Sequence, residues 1–187
     1  PEILAIGRVQ NAYVPEPTAD LYRGDLVEKC WDRDTKTVTS AAGDVHWHYG
    51  SGYVVLDSPR TQGAFGALKG QAVTCKDVSV ESPNVHATIL VTSLDGEPIA
   101  ASGRLLVAVV GRAAPNAVAP GSEAIAPPCL FEPVRGRVSI RTDLSRVSAL
   151  TAPGYKVADI DASQSDGQLT FALTGQPQVV YYLIEPE

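Results

Sequence analysis

The sequence predicts an all-β chain: an antiparallel β-sandwich, jelly-roll or immunoglobulin-like, of about ten strands. Three observations carry the prediction. Period-two alternation with β-branched residues runs through most of the 187 residues, whereas the i, i+3, i+4 recurrence of an amphipathic helix is absent. Turn signals built from Gly, Asp, Ser and Pro recur between short runs at the spacing usual for sandwiches and barrels. Apolar residues make up 44% of the chain and mean hydropathy is +0.01, enough to fill one sizeable core and too apolar for a disordered polymer.

Residues 1–36 read as an N-terminal segment, an edge strand or a connection, with Ile3 to Val9 suited to the strand. Asp20 to Trp31 mixes its signals and includes a candidate helical turn. The sandwich domain is expected over residues 37–187. Thr37 to Ser40 leads through a turn at Ala41-Ala42-Gly43 into the alternating run Asp44 to Tyr49, and Gly50-Ser51-Gly52 returns the chain along Tyr53 to Asp57. Short Gly-containing loops between such runs are hairpin signals. Beyond Pro59, Thr61 to Leu68 is small and glycine-rich, a short strand or a loop lying close against one. Gln71 to Glu81 alternates, but Val78 and Val80 fall out of phase with Val73 and Cys75, which predicts a bulge or bend near Lys76-Asp77.

The strongest apolar runs are His86 to Leu94 and Gly103 to Arg112, separated by the turn Asp95-Gly96-Glu97-Pro98. Continuous apolar runs suit central strands covered on both faces. Residues 113–128 carry Pro115, Pro120, Pro127 and Pro128, are rich in Ala and show no period, so they read as a surface loop. Strand patterning then resumes at Cys129 to Val134, Gly136 to Thr142, Val147 to Leu150, Gln168 to Leu173 and Gln178 to Ile184, with a turn at Ser165-Asp166-Gly167.

Charge excludes some partners. The formal net charge is −6, from 15 basic and 21 acidic residues with no basic block, which argues against nucleic acid and against an anionic membrane surface. The longest apolar stretch, Leu105 to Val110, is far too short to span a bilayer. Cys30, Cys75 and Cys129 form no C-x-x-C pair, so they read as small buried hydrophobes, with one disulfide plus one free thiol as the alternative. The absence of Met and of an opening signal peptide fits a fragment or a processed chain.

Motifs for catalysis are missing. Neither a G-x-S-x-G elbow nor a phosphate-cradling glycine loop occurs, and no cofactor is expected. His46 and His48, two apart on a predicted strand, project from one face, and His86 would add a third imidazole if its strand lay alongside; a solvent-facing polar row is the alternative. Asp32, Asp34, Asp57, Asp95 and Glu132 mostly fall at predicted turns, where carboxylates cap backbone amides. Trp47, Tyr49 and Tyr53 lie in one hairpin, with Tyr181-Tyr182 near the end; they serve either the core or a flat platform for a sugar ring. Asp57 and Arg60 belong to the densest polar cluster that follows a strand, Asp57 to Gln62, and complete the candidate carbohydrate-binding set.

Three segments together carry a family resemblance. Thr37-Val38-Thr39-Ser40 with Gly43-Asp44-Val45-His46-Trp47, then Val55 to Gly63, resembles a "TVTS…GE-x-x-W…VDTPRTQG" pattern. Val91 to Ala100 and Arg104 to Val107 resemble "SLDGKPLA…RLLLT". Gly111-Arg112-Ala113 stands where that pattern continues "ARAEN", and Val179 to Glu185 resembles the ending "T-x-W-Y-E-I". Here Ala114-Pro115-Asn116 replaces the usual Asn-Thr-Gly, and the first 30 residues match poorly. The pattern, over residues 37–185, is similar to the β-rich C-terminal regions of bacterial glycoside hydrolases whose catalytic domain is a (β/α)8 barrel. The resemblance implies an extracellular or periplasmic, non-catalytic accessory domain that supports the barrel or shapes its cleft. Its partners would be that barrel and a polysaccharide or oligosaccharide. It carries over no catalytic residue. An independent carbohydrate-binding module is the alternative, and a small metalloenzyme using His46, His48 and His86 is the third reading.

Overall fold

The computed structural model describes residues 2–7, 24–115 and 129–187, and the expected class holds: the chain is an antiparallel β-sandwich. Among the described residues, two short helices precede the strands, α1 (Glu2–Ile6) and α2 (Gly24–Cys30). Where an edge strand was expected from Ile3, the chain is helical through Ile6, and the rest of that stretch from Arg8 lies outside the described residues. Leu and Ala favour the helix locally, and Ile6 is buried against Val27, Cys30 and Val38. In α2 the spacing of Val27 and Cys30 puts both on one buried face, while Asp25 opens the helix and Lys29 closes it, matching the helix dipole.

The strands are β1 (Trp31–Asp32), β2 (Thr37–Thr39), β3 (Val45–His48), β4 (Tyr53–Asp57), β5 (Thr61–Gly66), β6 (Ala72–Thr74), β7 (Val78–Glu81), β8 (Ala87–Ser93) and β9 (Leu105–Val110). They continue as β10 (Ala113–Pro115), β11 (Cys129–Phe131), β12 (Gly136–Arg141), β13 (Arg146–Leu150), β14 (Lys156–Ile160), β15 (Ala162–Ser165), β16 (Gln168–Leu173) and β17 (Tyr181–Glu185). A ten-stranded sheet runs β1-β2-β3-β4-β5-β8-β9-β17-β13-β14, and a five-stranded sheet runs β15-β16-β12-β7-β6. The pair β10-β11 stands as a separate two-stranded ladder flanking residues 116–128, so the expected surface loop begins with a strand and otherwise lies outside the described residues.

Strands among the described residues outnumber the expected ten, and two causes account for three of the extra strands. The phase change at Lys76-Asp77 is a full reversal rather than a bulge, dividing one expected strand into the hairpin β6-β7. Strands β14 and β15 carry no clean apolar face, and all four residues of β15 are exposed, so no period marks them. The Thr37–Asp57 unit is the double hairpin that its turns predict, with Gly43 and Gly52 at positive φ.

One core lies between the sheets. Val55, Ile89, Val107 and Ile184 of the large sheet meet Val80, Ile140, Leu169 and Phe171 of the small one. Full burial of such a side chain stabilises by about 1.5–3 kcal/mol. A polar clamp also ties the sheets together. Gln62 on β5, fully buried, donates through Nε2 to Asp77 Oδ2 (3.2 Å) and accepts from the Asp77 backbone N–H through Oε1 (2.7 Å). Arg141 on β12 pairs with the other carboxylate oxygen of Asp77. Beside the clamp, Gly63 has φ +139°, and a Cβ there would collide with the Ile89 carbonyl oxygen of β8. Thus Gln62 and Gly63 serve the sandwich itself. The expected double covering of β8 holds on one face only among the described residues: Ala87, Ile89 and Val91 are buried, while Thr88, Leu90 and Thr92 are partly exposed.

Candidate functional site

The most distinctive surface is the outer face of the ten-stranded sheet. Antiparallel register sets its rows. One row runs Val54, Phe65, Thr88, Val110; the next Gly63, Leu90, Ala108, Tyr181; a third Thr61, Thr92, Leu106, Leu183. Each of these strands sends its alternate residues into the core, so the outward positions are free to be polar. Apart from Thr61, Thr88 and Thr92, they are mostly apolar. Leu56, Leu90, Leu106, Ala108, Tyr181 and Leu183 are all partly solvent-exposed, and Phe65 and Val110 are 36% and 39% exposed. Across β4, β5, β8, β9 and β17 the face measures roughly 19 Å by 17 Å, about 300 Å², a size at which an apolar patch is often functional.

Its borders differ. At the β1–β3 end the outer face is covered by α1 and α2, which enclose Val38 and Trp47. At the edge near Glu185, both Arg104 (3.0 Å) and Arg146 (3.2 Å) pair with that carboxylate, giving a charged rim. Sequence reasoning missed these leucines because the apolar runs of β8 and β9 read as strands covered on both sides. The signal was present in the second apolar phase of each run.

The aromatic candidates do not assemble into a platform. Trp47 and Tyr49 face the small helical cluster, their rings 5.6 Å apart and inclined by 58°. The Tyr49 hydroxyl accepts from Trp31 Nε1 (3.2 Å), and the Arg33 guanidinium lies 4.6 Å over the Trp31 ring. Tyr53 belongs to the opposite face of the sheet, is 8% exposed, and accepts through its hydroxyl from Gln71 Nε2 (3.0 Å). Tyr182 is buried in the main core beside Phe171.

The polar cluster at Asp57 to Gln62 is built as a connector. Asp57 Oδ1 accepts from the Lys76 backbone N–H (3.0 Å), and the Ser58 hydroxyl caps the turn by accepting from the Thr61 N–H (3.1 Å). Arg60 is exposed, and its carbonyl accepts from the Ser93 N–H (2.9 Å). Asp57 lies at the far end of β4 from Tyr53, about 13 Å along the strand. The five sugar-site candidates therefore occupy two faces and two ends of the sheet.

Other carboxylates act as caps. Asp95 accepts from the Ser93 and Ser102 hydroxyls (2.8 and 2.9 Å) and from the Gly103 and Glu97 N–H groups (2.7 and 3.2 Å), closing the β8–β9 connection. The Ser93 hydrogen bond foremost, with the others, holds its carboxyl well below the usual range. Asp32 accepts from the Asp34 and Thr35 N–H groups (2.9 and 3.0 Å), and Glu132 pairs with Arg112 (2.8 Å). Cys30 and Cys75 are free thiols and both buried, as expected of small hydrophobes, and the side chain of Cys129 lies outside the described residues. Burial pushes the Cys75 thiol up to about 11.

His46 and His48 share the inner face of β3, beyond the edge strand β6 of the small sheet. His46 Nδ1 lies 3.3 Å from Thr39 Oγ1, His48 Nδ1 lies 3.5 Å from Thr37 Oγ1, and the His48 ring stacks on Tyr53 at 4.5 Å and 16°. Burial foremost, then the neighbouring His46, lowers the pKa of His48. His86 precedes β8, three strand spacings or about 14 Å across the sheet, and does not join the pair. Among the described residues no cluster of three or more His, Cys, Asp or Glu side chains is placed to hold a metal. No protein-family model, curated protein or solved structure matches the chain.

Proposed function

We propose that this chain is a non-catalytic accessory β-sandwich domain of a carbohydrate-active enzyme, docking through the outer face of its ten-stranded sheet onto a (β/α)8 glycoside hydrolase barrel. The observation that carries the reading is the partly exposed apolar face of Leu56, Leu90, Leu106 and Leu183. The resemblance of residues 37–185 to C-terminal regions of such enzymes supplies the class of partner, and an extracellular or periplasmic location goes with it. Strands apolar in both phases are normal where a second layer covers them, and the small sheet covers one side only.

Magnitudes favour a tethered partner over a free one. Burying about 300 Å² at 25 cal/mol per Å² yields about 7 kcal/mol, which the translational and rotational cost of association largely cancels. A domain on the same chain escapes most of that cost through its effective concentration.

The reading is tested by titrating the purified chain against soluble polysaccharides with Trp fluorescence as the readout. Trp31 and Trp47 both report on the small helical cluster. No saturable change is expected across the panel. Saturable quenching by one glycan, lost in Trp47→Ala with the fold intact, would replace this reading with that of an independent binding module.

A further inference from the structure

We propose that His46 and His48 form a two-imidazole site for a borderline divalent transition-metal ion, with Cu2+ the preferred occupant. The inference is independent of the docking face, which lies on the other side of the sheet. Residues two apart on a strand point the same way with Cα atoms roughly 7 Å apart, close enough for two imidazoles to reach one ion.

Thr37 of β2 sets the tautomer of His48. Thr37 Oγ1 donates to the Thr35 carbonyl (3.4 Å), so toward His48 Nδ1 it is an acceptor. The proton of His48 is thereby held on Nδ1 and the lone pair stands on Nε2, the form in which a neutral imidazole ligates. Register places Thr39 against His46 as it places Thr37 against His48, with Thr39 Oγ1 3.3 Å from His46 Nδ1. Outer hydrogen bonds of this kind orient metal-binding histidines. The stack on Tyr53, itself held by Gln71, fixes the plane of the His48 ring. Both imidazoles are partly exposed, so an ion reaches them without opening the core.

Ligand chemistry selects the ion. Two imidazole nitrogens with the remaining positions left to water suit Cu2+, then Ni2+ and Zn2+, and offer nothing to Ca2+ or Mg2+. Strand geometry holds the two nitrogens on one side of the ion, leaving adjacent positions open.

The test is a Cu2+ titration of the full chain near neutral pH, followed by electron paramagnetic resonance. A tetragonal signal with nitrogen couplings should saturate at one ion per chain. His46→Gln and His48→Gln should each weaken binding about tenfold or more, Thr39→Val should weaken it about tenfold, and His86→Gln should leave it unchanged. A second readout needs no variant: substoichiometric Cu2+ should broaden the imidazole proton resonances of His46 and His48 before that of His86. Binding that survives both glutamine variants, or broadening that spares the pair, would overturn the proposal.

Discussion

At the scale of single residues, the side chains that looked most like a site mostly hold the fold. Asp57, Asp95 and Gln62 each satisfy backbone or buried polar groups. The capping role was readable from Asp-Gly and Ser-Pro spacing. The burial of Gln62 was not, because nothing local distinguishes a buried amide from a solvated one. These caps have a pH consequence. Asp95, Asp32 and Glu132 are all held below the usual carboxyl range by hydrogen bonds and, for Glu132, by Arg112. A carboxyl with a lowered folded pKa contributes stability that is complete above its unfolded value, about 4, and is lost as pH falls through the folded value. His48, also lowered, contributes stability that is complete above about 6.5 and shrinks as pH drops below that. Urea midpoints measured against pH should therefore fall in two stages, a shallow one below about 6.5 and a steeper one below about 4. Asp95→Asn should reduce the second stage; an unchanged acid limb would contradict the cap.

Elements were legible in proportion to how sharply one face differs from the other. The double hairpin from Thr37 to Asp57 announced itself through Gly43, Gly52 and strict alternation. Strand β5 was ambiguous, since Gly63, Ala64 and Gly66 carry too little side chain for a pattern. Its reason for being small is visible only across the sheet, where Gly63 lies against the Ile89 carbonyl. Strand β15 was invisible because it is solvent-exposed along its whole length and pairs with β16 alone. Helix α1 shows tertiary packing at work on a five-residue stretch too short to be stable by itself. Gly63→Ala tests the β5–β8 approach directly: both the positive φ and the backbone collision oppose a Cβ, so the variant should lose about 2–4 kcal/mol in chemical denaturation. Gly70→Ala has open space despite its own positive φ and should cost about 1 kcal/mol. Equal losses at the two positions would show that the β5–β8 contact is not tight.

The whole molecule is asymmetric. Its small sheet closes one side of a wide antiparallel sheet, two short helices close one end of the other side, and the middle of that side carries leucines where a free-standing domain would place polar residues. The sandwich class was plain from periodicity, and the second apolar phase of β8 and β9 already called for a cover. Only the register of β4, β5, β8, β9 and β17 shows that these outward positions form one continuous face. The paired Leu90→Lys and Leu183→Lys substitutions lie outside the core and should leave the thermal midpoint nearly unchanged. The most direct measurement is small-angle X-ray scattering from this chain joined to a (β/α)8 glycoside hydrolase barrel of the kind proposed as its partner. The account predicts one compact, docked particle with the unaltered chain and two independently moving domains with Leu90→Lys/Leu183→Lys. Dimensions indifferent to those lysines, or two independent domains without them, would contradict it.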